Sequence, residues 1–169
     1  MKIFASALRI TGAKLLIFAV SLGILIAVPA FIHQQWVTGP LVNAALFIST
    51  VLVGPMEAVL LGLMPSAVAL STGLLPLPLA PMVPFIMMGN AVLVALFHYF
   101  YKWNIAVSVV VAAFLKFLFL ASIVRFLMGR LLDGPLVSKL AVMMSWPQFF
   151  TAVIGGAVAV LFLKGIQRL

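Results

Sequence analysis

The chain is predicted to be an all-α integral membrane protein, a compact bundle of six transmembrane helices with ordered outer loops. Three observations predict this. Hydrophobic residues fill 66% of the 169 positions and charged residues only 7%, against roughly 45–50% apolar in ordinary soluble domains. Apolar runs of membrane length recur from one end to the other, so residues 1–169 are expected to form a single domain. Ten Lys and Arg stand against two acids, and most of these cations flank apolar runs, which points to orientation in a lipid bilayer and away from nucleic acid. Cysteine is absent, which excludes disulfides and thiolate metal sites, and no cofactor or metal is expected.

The first span is placed at residues 15–32. Its basic start and Val28-Pro29-Ala30 imitate a signal peptide, but the apolar run exceeds the 7–15 residues of such a segment. The second, residues 41–53, starts after Thr38-Gly39-Pro40 and stops at Gly54-Pro55. At about 1.5 Å per residue it covers only about 20 Å, so it must be packed among neighbours. The third, residues 56–71, carries Pro65 as an internal kink. Residues 72–84 hold Pro76, Pro78, Pro81 and Pro84. They are expected to be extended and, being apolar, to form a lid over a pocket. Spans four to six are placed at residues 84–101, 105–128 and 146–163, with a polar link at 129–145.

Six crossings put both termini on one side. Lys2, Arg9, Lys14, Lys102, Lys164 and Arg168 fall there, and Arg125, Arg130 and Lys139 fall on the other. The bias of Lys and Arg toward the cytoplasm then places both termini inside, and loops 33–40, 72–84 and 129–145 outside.

The strongest clue to function is Lys116, alone in the run Val109-Val-Val-Ala-Ala-Phe-Leu-Lys116-Phe-Leu-Phe-Leu-Ala-Ser-Ile-Val124. A charge at the bilayer centre costs about 2.5–3.5 kcal/mol on insertion scales, so it should face a bundle interior or a watery pocket. Helical rise puts Asn43, Asn90, Gln148 and Thr151 in the outer half of the same depth range, beneath the lid, with Lys116 as floor. Polar groups in hydrocarbon need partners, and one shared cavity supplies them. Each has a blander role: Lys116 in an internal pair, Asn43 and Asn90 as interhelical glue, Gln148 in a Ser145-x-x-Gln148 capping box. Trp146, Leu79 and Met82 are candidates to cover an apolar part of a ligand. Arg125, half a turn round from Lys116, is an interfacial anchor, and His33 and His98 lie at opposite ends and make no metal pair.

Catalysis has little to stand on, since there is neither a paired carboxylate nor a GxxxxGK[ST] loop. Ala19, Gly23 and Ala27 recur every four residues on the first span. Such a stripe admits another helix closely, either from this chain or from a partner.

Thr38-Gly-Pro-Leu-Val-Asn43-Ala44, Pro81-Met-Val-Pro-Phe-Ile-Met-Met-Gly-Asn90-Ala91 and Ser145-Trp-Pro-Gln148-Phe-Phe-Thr-Ala-Val-Ile-Gly-Gly156 resemble a small branch, of unassigned substrate, of the substrate-binding S components of energy-coupling factor (ECF) transporters. The resemblance covers essentially the whole chain. It implies a prokaryotic plasma-membrane importer subunit that captures a micronutrient, a vitamin or related small molecule, from outside. It also implies a transmembrane T component and two ATPase partner subunits that supply the energy, so this chain itself is no enzyme. Ala19, Gly23 and Ala27 match the family's alanine-rich T-component contact, with glycine at the central position. Two alternatives remain at this stage: a self-sufficient ion-coupled carrier or channel with Lys116 as its gate, and a membrane assembly factor without a small ligand.

Overall fold

The computed structural model describes residues 12–128 and 134–168. Lys2, Arg9, Arg130 and Asp133, which enter the orientation argument, lie outside the described residues. All regular structure described is helical: α1 (Gly12–Phe31), α2 (Gln35–Leu52), α3 (Pro55–Leu61), α4 (Met64–Ser71), a 3₁₀ segment (Leu77–Met82), α5 (Val83–Phe100), α6 (Ile105–Ile123), a π segment (Val124–Met128), α7 (Gly134–Met143) and α8 (Trp146–Gly165). Five helical stretches are long and apolar enough to cross a membrane, and Pro55–Ser71 is a shorter apolar one. Their outward faces suit lipid: Leu16, Val20 and Ile24 on α1, Val110 and Phe114 on α6, and Ile154 and Leu161 on α8 are all exposed.

Several boundaries differ from the sequence expectation. α2 begins at Gln35, with Pro40 inside the helix, and at 1.5 Å per residue it is about 27 Å long. Pro40, sixth in the helix, withholds one main-chain donor from the i−4 ladder. This helix is the most enclosed of the long ones, with half of its residues buried, and in that respect the expectation of a span packed among neighbours holds. Gly54, at φ 150°, makes the turn that ends it, and Pro55 opens α3. The kink expected at Pro65 is a full interruption at Gly62–Leu63, just before that proline.

Residues 72–84 are not extended throughout. Leu77–Met82 winds into a 3₁₀ helix, with Pro78 in its first turn and Pro81 inside. The φ near −65° that proline imposes matches 3₁₀ geometry, and few donors are needed in so short a helix. The link placed at 129–145 contains α7, a helix the sequence reading did not anticipate. Asn104 caps α6 by accepting from the Val107 amide at 3.0 Å, which fixes where the lysine-bearing helix starts.

Side-chain bonds show which ends lie together. Thr72, just past α4, donates to the Pro29 carbonyl at 3.2 Å, and its own carbonyl lies 3.2 Å from His33 Nε2. Gln35 Nε2 donates to the Met143 carbonyl at 2.8 Å. The end of α1, the start of α2, the end of α4 and the α7–α8 junction therefore share one end of the bundle. Since α2 leaves this end and α4 arrives at it, the interrupted pair α3–α4 traverses the bundle between them.

The main core joins Phe47, Leu93, Phe97, Ala112, Ala152 and Ala159 from α2, α5, α6 and α8. α2 and α8 approach closely through glycine. A Cβ on Gly155 would lie 2.5 Å from the Pro40 carbonyl oxygen and 2.8 Å from Asn43 Cβ, and one on Gly39 would lie 2.8 Å from Thr151 Cβ. Backbone cannot yield as a flexible side chain can, so overpacking here is costly. Gly155→Ala is expected to destabilise the protein by about 1–3 kcal/mol. Gly165→Ala, where a Cβ meets nothing within 4 Å, should be neutral or better. Thermal unfolding of the purified proteins followed by Trp fluorescence compares the two.

Candidate functional site

Lys116 is 3% exposed. Its Nζ donates to Asn43 Oδ1 and to Asn90 Oδ1, each at 2.8 Å. Three helices thus meet at one amine: α2, α5 and α6. Each asparagine passes its other end to main chain. Asn43 Nδ2 donates to the Gly39 carbonyl and Asn90 Nδ2 to the Gly62 carbonyl, both at 2.8 Å. The pattern fixes both amide orientations, because a flipped amide would turn its NH₂ toward the lysine donors.

The interruption in α3–α4 supplies one of these acceptors. Gly62 sits in the unwound turn, and its carbonyl is met by the Asn90 side chain, as a helix end needs. Ser66, four residues on, would ordinarily turn its hydroxyl back to that carbonyl. Its Oγ is buried and makes no hydrogen bond.

Lys116, Asn43, Asn90 and Ser66 line a cavity of about 120 Å³. Apolar walls come from Pro29, Val42, Pro65, Leu75 and Ile86. At the shared end of the bundle it is bounded by Gln35, Met143, Met144 and Gln148. Gln148 Nε2 donates to the Met143 carbonyl at 3.3 Å and lies 3.7 Å from Met144 Sδ. Ser145 Oγ donates to the Val142 carbonyl at 2.9 Å, and its side chain makes no cap bond to α8. The capping box therefore does not form, and Gln148 belongs to the cavity rim.

Of the eight residues the sequence nominates for a ligand, four line this cavity: Lys116, Asn43, Asn90 and Gln148. The other four do not. Leu79 and Met82 are fully buried in a second core with Leu120 and Val124, so they support the lid from behind while Leu74 and Leu75 face the hollow. Trp146 is 56% exposed and stacks on Phe117 with ring centroids 4.9 Å apart, on the outer surface. Thr151 lies in the α2–α8 seam, its Oγ1 donating to the Pro147 carbonyl at 2.7 Å. Arg125, in the π segment, is exposed and outside the lining.

Sequence reasoning missed Ser66 and Gln35. Ser66 carried the weak signal of a hydroxyl next to a kinking proline. Gln35 falls in a stretch treated as loop, where no face could be assigned.

Ala19, Gly23 and Ala27 are all exposed on α1, and a Cβ added to Gly23 would meet nothing within 4 Å. Among the described residues nothing packs on the stripe at Gly23. Comparison with known protein families, characterised proteins and solved structures finds no match for the chain.

Asn90→Ala removes an acceptor of a buried amine and the donor to Gly62 together. An expected loss of about 2–4 kcal/mol follows from unpaired polar groups in a buried site. Asn104→Ala, at an exposed helix cap, should cost only about 1 kcal/mol. Denaturation of both variants in the same detergent measures the difference.

Proposed function

We propose that the chain is the substrate-capturing S component of an ECF-type importer in a prokaryotic plasma membrane. It takes a small organic micronutrient from outside and delivers it through a T component driven by two ATPase subunits. The observation that carries this reading is the buried amine, held by two asparagines, in a cavity at the loop-rich end of the bundle. A cation so deep is expensive and marks a functional site by default.

In this reading α3–α4 is the sixth crossing, both termini are cytoplasmic, and loops 33–40 and 72–84 roof the pocket outside. Lys116 attracts the polar head of the substrate, and Asn43 and Asn90 hold the amine in position. The exposed stripe of Ala19, Gly23 and Ala27 fits the T component, because small side chains let two helix backbones approach in lipid. No second bundle or pair of facing broken helices supports alternating access by this chain alone among the described residues, which weighs against the self-sufficient carrier.

The test separates capture from coupling. The protein is co-reconstituted in liposomes with candidate T and ATPase subunits from its own host, and pull-down and ATP-driven uptake are followed. Gly23→Leu should abolish partner retention and uptake while native mass spectrometry still detects a co-purified small molecule. Lys116→Ala should do the reverse, keeping partner retention and losing the small molecule. Uptake by this chain alone under an ion gradient would overturn the proposal.

A further inference from the structure

Resting on the capture reading above, we infer that the cavity takes a small aliphatic monocarboxylate, with the carboxylate on Lys116 and the apolar body between α2, α4 and α5. Charge comes first. Lys116 is almost wholly buried, and both of its acceptors are neutral amides. Glu57, the one acid among the described residues, sits against Gly54 at the opposite end of the bundle. An ammonium has three protons to donate, and two are used. A single negative charge would complete its shell, and a carboxylate is the organic group whose geometry accepts such a donor strongly.

A second group in the same cavity also lacks a partner. The Ser66 hydroxyl is buried and makes no hydrogen bond, while lining the hollow with Lys116. Buried hydroxyls are nearly always satisfied, so an orphan on a residue that lines a cavity calls for an acceptor or donor from outside the chain. One cation and one hydroxyl suit a head group bearing one charge and two oxygens. They do not suit a dianion, which would leave a second charge unpaired in a buried site.

Size and walls define the rest. A cavity of about 120 Å³ is somewhat smaller than the ~150 Å³ that holds the six carbons of benzene, so it encloses about five or six non-hydrogen atoms, and the end of a slightly longer chain would lie in its open mouth. The walls include Val42, Leu75 and Ile86, and no Phe, Tyr or Trp lines the cavity. Nothing there stacks on a ring, whereas an alkyl chain is matched by aliphatic and proline carbon. An inorganic anion would satisfy Lys116 but leave these walls uncovered, and an alkylammonium would be repelled.

The experiment uses the full chain in nonionic detergent, with ligand-observed NMR and thermal shift against hexanoate, hexanamide, hexylamine, benzoate and acetate. Hexanoate should bind at least tenfold more tightly than each of the others. Lys116→Met should remove that preference, and Ser66→Ala should weaken hexanoate binding about three- to tenfold without lowering the unfolding temperature of the ligand-free protein. Should Lys116→Met fail to fold, the wild-type ranking and Ser66→Ala still decide. Hexanamide or hexylamine binding as tightly as hexanoate, hexanoate binding unchanged in a folded Lys116→Met, or no response to hexanoate at millimolar concentration would overturn the assignment. Equal binding of benzoate would overturn its aliphatic part. None of these results moves the partner-retention assay of Gly23→Leu, so a wrong ligand class is distinguishable from a wrong capture reading.

Discussion

The structure depends on keeping one buried amine partnered. Lys116 lies in a helix that otherwise has every reason to dissolve in lipid, and its charge is tolerable only because Asn43 and Asn90 accept from it at 2.8 Å. Those asparagines are held in turn by the carbonyls of Gly39 and Gly62. The positions of α2, α5 and α6 therefore follow from one electrostatic requirement, since moving any of them away would leave a buried donor without an acceptor.

Two backbone irregularities serve that requirement. The unwound turn at Gly62–Leu63 exposes a carbonyl inside the bundle that an unbroken helix would have consumed. The glycine-rich seam between α2 and α8 lets α8 lie close enough to press Thr151 on Gly39 and Gly155 on Asn43. Around the charged knot the packing is ordinary, with Phe47 and Phe97 meeting edge to face at 4.6 Å. A small separate core of Leu79, Met82, Leu120 and Val124 carries the lid. The hollow survives between the two cores because polar side chains, not interlocking hydrocarbon, form its floor.

Much of this was legible in the sequence. Uninterrupted apolar runs announced the long helices, Gly54-Pro55 and Pro65 announced where the chain breaks, and Lys116 was conspicuous as a lone charge. Helical rise gave the depths of Asn43, Asn90 and Gln148, and the cost of unpaired polar groups in hydrocarbon pointed them to the lysine's cavity. Rotation about each helix axis was far less legible, because a segment apolar on every side has no polar face to mark its outside. Leu79, Met82, Trp146 and Thr151 were accordingly at plausible depths but turned elsewhere. The proline run at residues 72–84 was misread for a different reason: the φ that forbids long α-helix is the φ a short 3₁₀ helix adopts. Ser66 was hidden because its lack of a partner arises only when Asn90, 24 positions later in the chain, claims the Gly62 carbonyl.

The way the two asparagines are wired has a mechanical corollary. Each is a strut with a planar amide that has the amine at one end and a main-chain oxygen at the other. One strut ends on α2, near its proline; the other ends on the turn between two short helices. A shift of the lysine is thus passed to two separate stretches of main chain at once, α2 at Gly39 and the α3–α4 turn at Gly62.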